Sequence, residues 1–238
     1  MSPQEILLAN LAVVLGAIVQ ASTGVGGGFI VVPALAAIDV SLIPGPVILG
    51  SLPLSFAMAL RGRRVIDVAN FPAISLGLVP GSLVGAYILT RVPLENAGVL
   101  FGLVVLVGAG VSLAGLVIPV GRVSGAITGA ISGVLGTSGG NGGVILALLY
   151  QHAPGPSLRA TLGLLYGLAS IIMLVVLAWF GRFGLHQFTL GALLFPGFLL
   201  GFALSPRFAN AVDQGQATRN VVLAMATASA IALIVSSL

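Results

Sequence analysis

The chain has 238 residues, of which 58% are hydrophobic and only 6% are charged, with a mean hydropathy of +1.20 and a formal net charge of +4. A soluble domain carries about a quarter charged residues, so this composition excludes a globular protein with a water-facing surface and indicates an integral membrane protein. The absence of Cys and Lys excludes disulfides, Cys-based metal sites, a Walker A loop and Schiff-base chemistry.

Apolar runs between charges and Pro/Gly clusters predict about eight membrane-embedded helices, all within one transmembrane domain of residues 1–238. In chain order they are Glu5–Ile38, Pro46–Leu60, Val68–Thr90, Leu94–Ile118, Val123–Tyr150, Gly155–Phe180, Phe188–Ser205 and Ala217–Leu238. The first and fifth exceed the roughly 20 residues that one crossing needs, and each contains a glycine cluster. We therefore expect an all-α fold in which these two helices are broken or re-entrant.

The two halves of the chain share three features in the same order, at offsets of about 115, 110 and 116 residues. The matching segments are 27–31 with 142–146, 44–46 with 154–156, and 79–85 with 195–201. This pattern predicts a duplication, with repeat 1 at about residues 1–118 and repeat 2 at about 119–238. If both broken helices re-enter, six arginines lie on one membrane face and two on the other. The positive-inside rule then favours inverted repeats with both termini outside, and full crossing of both helices is the alternative.

The duplicated glycine clusters are candidate anion-binding sites, because consecutive glycines break a helix and expose backbone N–H groups at a helix N-terminus. The candidate residues are Ser22, Thr23, Gly24, Gly26, Gly27 and Gly28 in the first cluster and Thr137, Ser138, Gly139, Gly140, Asn141, Gly142 and Gly143 in the second. The alternative, close helix packing, is expected for the glycines spaced by four: Gly81, Gly85, Gly121, Gly125, Gly129, Gly133, Gly197 and Gly201. Arg159, one turn after Pro156, either snorkels to the membrane interface or faces an oxyanion.

Three stretches resemble the TauE/SafE sulfite-exporter family of membrane anion transporters. They are GAIVQASTGVGGGFIVVPAL from Gly16, VIDVANFPAISLGLVPGSLVGA from Val65 and GVLGTSGGNGGVILALL from Gly133, and the likeness covers nearly the whole chain. The resemblance implies transport of sulfite, sulfonates or related small sulfur oxyanions across the cytoplasmic (inner) membrane of a prokaryote. It also implies that the substrate meets the paired clusters, of which only the second carries an Asn, Asn141.

Other functions leave weaker signals. Residues 136–140 match G-x-S-x-G, so a rhomboid-like serine protease using Ser138 and His186 is an alternative, although the first cluster has no matching His. A passive anion channel is the other alternative, because it would use the same backbone and hydroxyl groups. We expect no enzyme activity, cofactor or metal site. We also expect no nucleic-acid partner, since the arginines form no basic run. A small anion and lipid are the expected partners, and a homodimer is left open.

Overall fold

The computed structural model describes residues 1–93, 96–114 and 118–208, and in these ranges the chain forms ten α-helices and no strand. The helices are α1 (Pro3–Thr23), α2 (Gly27–Ile38), α3 (Gly45–Arg61), α4 (Phe71–Arg91), α5 (Ala97–Leu113), α6 (Arg122–Gly139), α7 (Gly143–Tyr150), α8 (Gly155–Trp179), α9 (Leu185–Ala192) and α10 (Phe195–Leu204). The prediction of an all-helical fold is confirmed for this part of the chain. The predicted eighth segment, Ala217–Leu238, lies outside the described residues.

Four helical stretches are long and apolar enough to cross a bilayer. They are Pro3–Thr23, Phe71–Arg91, Gly155–Trp179 and Leu185–Phe208. Three shorter apolar helices, Gly27–Ile38, Gly45–Arg61 and Ala97–Leu113, accompany them. A large share of the surface consists of exposed Leu, Ile, Val and aromatic side chains, as expected where lipid rather than water is the solvent.

The predicted seventh segment differs from the structure, which divides it into α9 and α10 at residues 193–194. Pro196 stands in the first turn of α10 and has no N–H to donate to the carbonyl of Ala192, so the helical ladder is interrupted there. The amide of Leu194 instead bonds the carbonyl of Gly191, three residues back, at 3.1 Å. Hydropathy alone does not reveal this interruption.

Each glycine cluster lies at a reversal of the chain. A Cβ atom added to Gly16 of α1 would overlap Val31 of α2 and lie 2.9 Å from the carbonyl oxygen of Gly27, so α2 runs back along α1. In the second half, Ser132 Oγ in α6 donates to the carbonyl of Gly142 at 2.9 Å, although ten residues separate them. The helix pairs α1/α2 and α6/α7 are therefore two hairpins, called hairpin 1 and hairpin 2 below.

Close helix pairs hold the hairpins in place. Gly77, Gly81 and Gly85 of α4 meet Ala126, Ala130 and Val134 of α6 in the same order, so α4 and α6 are parallel. In the same way, Gly197 and Gly201 of α10 meet Asn10 and Ala17 of α1, and this pair is also parallel. Helices α3 and α8 are antiparallel, because Gly62 meets Ala160 while Ser55 and Met58 meet Gly163. The spaced glycines serve close packing, except Gly121, whose added Cβ would meet only Ser124 Oγ at 3.5 Å.

The charged helix ends lie at two opposite ends of the molecule. Helix α3 ends at Arg61 beside the start of α8, and Arg63 and Arg64 follow directly. Arg61 donates to Ser205 Oγ at 3.0 Å and to the carbonyl of Phe202 at 3.1 Å, at the end of α10. At the other end, beyond α8, Arg182 donates to the carbonyl of Thr90 at 3.3 Å, near the end of α4.

Candidate functional site

A cavity of about 90 Å³ lies where the two hairpins meet. Its wall contains Gly26, Gly27 and Gly28 of hairpin 1 and the run from Gly140 to Val144 of hairpin 2, together with side chains of α3, α8 and α10. No charged side chain is among its lining residues in the described ranges. One water molecule needs roughly 10–15 Å³, so the cavity has room for several waters or for one small solute.

Two helices begin at this cavity. Helix α2 starts at Gly27 after Gly26, whose φ of +97° requires glycine, and α7 starts at Gly143. Within the described ranges, the N–H groups of Gly27, Gly28, Gly143 and Val144 have no acceptor, as expected for the first turn of a helix without a side-chain cap. Free N–H groups and the positive ends of two helix dipoles therefore meet in one space.

The side chain of Asn141 crosses from hairpin 2 to hairpin 1. A Cβ atom added to Gly28 would overlap Asn141 Oδ1, so the carboxamide reaches the first turn of α2. Asn141 is only 6% exposed, and its Nδ2 has no hydrogen-bond partner in the described part of the chain. This nitrogen lies on the side of α5, where a Cβ atom added to Gly108 would be 3.5 Å from it, and the oxygen is the atom beside α2. A buried amide without a partner costs free energy.

Other neutral polar groups complete the lining. Gln20 of α1 packs beside Gly27, where an added Cβ would lie 2.6 Å from Gln20 Oε1. Four hydroxyls come from three helices: Ser51 and Ser55 of α3, Ser132 of α6 and Ser170 of α8. The hydroxyl of Ser51 donates to the carbonyl of Ile48 at 2.9 Å and that of Ser55 to the carbonyl of Ser51 at 3.0 Å. These groups give the cavity polarity without a fixed charge.

Tyr166 of α8 connects the two hairpins directly. Its hydroxyl lies 3.1 Å from the carbonyl oxygen of Gly24 in hairpin 1 and 3.1 Å from that of Gly143 in hairpin 2. The ring also limits the cavity, since a Cβ added to Gly143 would lie 3.0 Å from it. A single phenolic proton thus stands between two main-chain acceptors, one from each hairpin.

Arg159 occupies the same face of α8, two turns before Tyr166. Its Nη1 donates to the carbonyl of Ser22 at 3.0 Å, at the C-terminal end of α1. A cation at this position offsets the partial negative charge of the helix C-terminus. Arg159 therefore reaches the first glycine cluster from outside the cavity wall, and its side chain is only partly buried.

Besides Arg159, the structure places six of the predicted binding residues away from the cavity wall. They are Ser22, Thr23, Gly24, Thr137, Ser138 and Gly139. Ser22 Oγ donates to the carbonyl of Ser205 at 3.1 Å, Thr23 Oγ1 bonds carbonyls of its own turn, and Gly139 packs against Val104. The structure brings the other cluster residues, Gly26, Gly27, Gly28, Gly140, Asn141, Gly142 and Gly143, together at the cavity.

Ser138 has a structural hydrogen bond rather than a partner suited to catalysis. Its hydroxyl donates to the carbonyl of Val134 at 2.7 Å, four residues earlier in α6. No histidine in the described ranges hydrogen-bonds to it, and His186 lies exposed in the first turn of α9. A nucleophilic serine requires a base within hydrogen-bond reach, and this geometry does not supply one.

Sequence reasoning missed four kinds of lining residue: Gln20, Tyr166, the serines of α3, and Ser132 with Ser170. Gln20 stands inside the first glycine signature, so its position next to the break is a usable signal. Tyr166 and Ser170 follow the second cluster by more than 20 residues, and only the packing of α8 against both hairpins brings them to the cavity.

Comparison with known proteins identifies a family. The family model described as sulfite exporter TauE/SafE matches residues 9–233, nearly the whole chain. No curated protein and no solved structure matches the chain.

Proposed function

Since the chain belongs to the TauE/SafE sulfite exporter family and is thus a multi-pass membrane transporter of a small anionic substrate, we propose that it carries sulfur oxyanions of the sulfite, sulfonate or thiosulfate type by alternating access. The anion is held between the two glycine-rich helix breaks. The observation that carries this proposal is the meeting of two uncapped helix N-termini, α2 and α7, at one uncharged cavity.

The cavity suits an anion for physical reasons. Backbone N–H groups at a helix start point at a ligand, and the helix dipole favours negative charge there. The carboxamide of Asn141, a lining residue, adds a neutral polar group beside the first turn of α2. A transporter must release its ligand as well as bind it. A site made from neutral donors releases an anion more readily than a site that holds the anion in a buried ion pair.

Two inverted repeats are supported by the packing of the helices. We take α6, α8 and α10 as the counterparts of α1, α3 and α4. The counterpart of the pair α1/α10 is then the pair α6/α4, and both pairs are parallel. A two-fold rotation about an axis in the membrane plane relates each helix to an antiparallel counterpart, and α3 and α8 are antiparallel. The site then lies at the junction of the repeats, as in alternating-access transporters.

The distribution of arginines favours one orientation in the membrane. Arg61, Arg63, Arg64 and the start of α6 at Arg122 belong to one end of the molecule, and Arg91 and Arg182 to the other. The positive-inside rule places the richer end in the cytoplasm of a prokaryote and the N-terminus outside the inner membrane. Hairpin 1 then opens toward the outside and hairpin 2 toward the cytoplasm.

A matched pair of Asn substitutions tests the proposal in proteoliposomes loaded for sulfite exchange. Asn141→Leu keeps the side-chain volume and removes the carboxamide that joins the two breaks at the cavity wall, so the KM for sulfite is expected to rise by roughly tenfold or more. The unfolding temperature should not fall, because the change also removes a buried amide without a partner.

Asn10 is the control. Its Nδ2 donates to the carbonyls of Ile6 and Leu193 at 3.0 Å each, and its Oδ1 accepts from the amide of Gly197 at 2.9 Å, joining α1 to α10. Asn10→Leu should lower the unfolding temperature and leave the KM of the folded protein unchanged. Saturable sulfite flux with an unchanged KM in Asn141→Leu would disprove this site, and an absence of sulfite-type flux in the wild type would disprove the function.

A further inference from the structure

Two glycine-lined helix interfaces, α1/α10 and α4/α6, differ by one helical turn in how their residues face each other. From this difference we infer that the two hairpins slide together by one turn, about 6 Å, along α10 and α4, and that the structure holds them at one end of this movement. The inference rests on the proposed function for the two repeats, and it adds the movement by which the cavity changes the side of the membrane that it faces.

Three landmarks occur in both halves of the chain at an offset of 116 residues, as from Gly24 to Gly140. They are the left-handed residue that ends the first helix of each hairpin, the first residue of the second helix, and a Pro-Gly pair in the helix that packs against a hairpin. Their positions are Gly24 and Gly140, Gly27 and Gly143, and the pairs 80–81 and 196–197. Each residue of α1 therefore has a defined counterpart in α6, and each residue of α10 has one in α4.

The packing of the helices departs from this symmetry. A Cβ atom added to Gly201 of α10 would lie 2.7 Å from the carbonyl oxygen of Val14 in α1. One added to its counterpart, Gly85 of α4, would lie 2.5 Å from the carbonyl oxygen of Val134 in α6. The counterpart of Val14 is Ala130, four residues before Val134. The α4/α6 interface is therefore displaced by about one helical turn relative to the α1/α10 interface.

The preceding glycine on each helix shows the same displacement. A Cβ atom added to Gly197 would lie 3.0 Å from the carbonyl oxygen of Asn10, whose counterpart is Ala126. One added to Gly81, the counterpart of Gly197, would instead overlap the carbonyl oxygen of Ala130, four residues after Ala126. Two positions along the interface thus agree, so the difference is a shift of whole helices rather than a local distortion.

The shift has a direction along the helix axes. Helix α6 begins at Arg122, at the end of the molecule that carries Arg61, and each glycine of α4 faces a later residue of α6 than symmetry requires. Hairpin 2 is therefore displaced toward the Arg61 end. Exchanging the two registers moves hairpin 1 by one turn toward the opposite end, which carries Arg182, and moves hairpin 2 by one turn in the same direction. The two hairpins thus travel as one unit.

The second register offers close packing as well. After the slide, Gly201 meets the turn of α1 that ends at Ala21, a small and buried residue. Gly85 meets the turn of α6 that contains Ala130 and Gly133. Small residues at this spacing let the backbones approach closely in both registers. Ridges of side chains four residues apart also favour a step of one turn over a continuous movement.

The slide changes one side of the cavity wall. The glycines of both breaks travel together, whereas Phe198 of α10, Ser55 of α3 and Tyr166 of α8 stay behind. The bonds from Tyr166 to both hairpins must break, as must the bond from Ser22 Oγ to the carbonyl of Ser205 on α10. A bound anion then keeps its contacts with the hairpins while its other surroundings change, which release on the other side requires.

Pairs of nitroxide labels measure the slide by double electron–electron resonance on the full chain in nanodiscs. The chain contains no cysteine, so each pair is introduced at exposed positions of helices. Ile127→Cys of α6 with Trp179→Cys of α8 reports on hairpin 2, and Leu11→Cys of α1 with Leu60→Cys of α3 reports on hairpin 1. The pair Leu60→Cys with Trp179→Cys joins α3 to α8, outside both hairpins, and is the matched control.

The two hairpin pairs should change in opposite senses. In samples with methanesulfonate, the first pair should show a second distance that is shorter by up to about 6 Å, because Ile127 approaches the end of α8. The second pair should show a second distance that is longer by a similar amount, because Leu11 moves away from Leu60, and the control distance should stay constant. One unchanged distance for each pair with and without methanesulfonate, or changes of the same sign, would overturn the slide.

The outcomes separate this inference from the proposed function. Sulfite exchange in proteoliposomes together with fixed label distances would overturn the slide alone. Opposite distance changes in a protein that exchanges no sulfur oxyanion would support the slide and remove the proposed function.

Discussion

At the scale of the residue, the hydroxyl of Tyr166 contacts both hairpins. Its hydroxyl is the only donor that the described part of the chain offers to the carbonyl of Gly24, the left-handed residue that ends α1 with φ of +92°. It also contacts the carbonyl of Gly143 at the start of α7. A movement of hairpin 1 relative to hairpin 2 must break at least one of these contacts.

Tyr166→Phe tests this connection. Removing the hydroxyl leaves the buried carbonyl of Gly24 without a donor, and we expect a loss of about 1 to 3 kcal/mol in the free energy of unfolding in detergent. The same change at Tyr87 of α4, which is 51% exposed, serves as the control and should alter stability by less than about 0.5 kcal/mol. Equal stability of the two variants would show that the hydroxyl of Tyr166 does not hold the hairpins.

The side chains at the breaks show which site residues sequence can predict. Asn141 and the consecutive glycines stand out because polar and flexible residues are costly inside a membrane helix. The hydroxyls of Ser22 and Ser138 look equally suitable, yet each donates to a main-chain carbonyl, on α10 and α6 respectively. Where a hydroxyl points depends on which acceptor lies nearest in three dimensions, and the local pattern does not contain that information.

At the scale of the element, glycine stripes determine how closely α4 and α6 approach. Cβ atoms added at Gly77 and Gly81 would overlap the carbonyl oxygens of Ala126 and Ala130, and one added at Gly85 would lie 2.5 Å from that of Val134. The backbones are in contact because no side chain separates them. This interface connects α6, the first helix of hairpin 2, to α4, which is long enough to cross the membrane.

Gly81→Ala is therefore expected to destabilise the protein by several kcal/mol, since backbone atoms of α6 must move to admit the methyl group. The matched control is Gly110→Ala in α5, where an added Cβ has nothing within 4 Å and Ala favours the helix by up to about 1 kcal/mol. Thermal unfolding in detergent measures both. A similar unfolding temperature for Gly81→Ala and the wild type would contradict the packing described for α4 and α6.

The helices themselves follow from the sequence to different degrees. Segments bounded by charges or by Pro-Gly pairs were predicted within a few residues, as for α3, which begins at Gly45 and ends at Arg61. The interruption between α9 and α10 was not predicted. A proline in an apolar run can stand inside a continuous helix or in the first turn of a new one, and the sequence alone does not distinguish the two. Reversal of the chain in the hairpins was favoured only by arginine counting, since glycine permits many backbone directions.

At the scale of the whole molecule, the proposed alternating access requires that the cavity between the two hairpins opens in turn to each side of the membrane. Ser170 of α8 is 7% exposed and lies in the cavity wall. The natural chain contains no cysteine, so Ser170→Cys introduces a single thiol. Ser82→Cys, at a position that is 0% exposed between α4 and α6, is the matched control.

The most direct measurement is the labelling of Ser170→Cys in proteoliposomes by a membrane-impermeant methanethiosulfonate reagent, added from one side and then, in a separate sample, from the other. Alternating access predicts labelling from both sides, slowed in each case by methanesulfonate, with no labelling of Ser82→Cys. Labelling from one side only, or labelling that the anion does not slow, would contradict a shared anion site between the two hairpins.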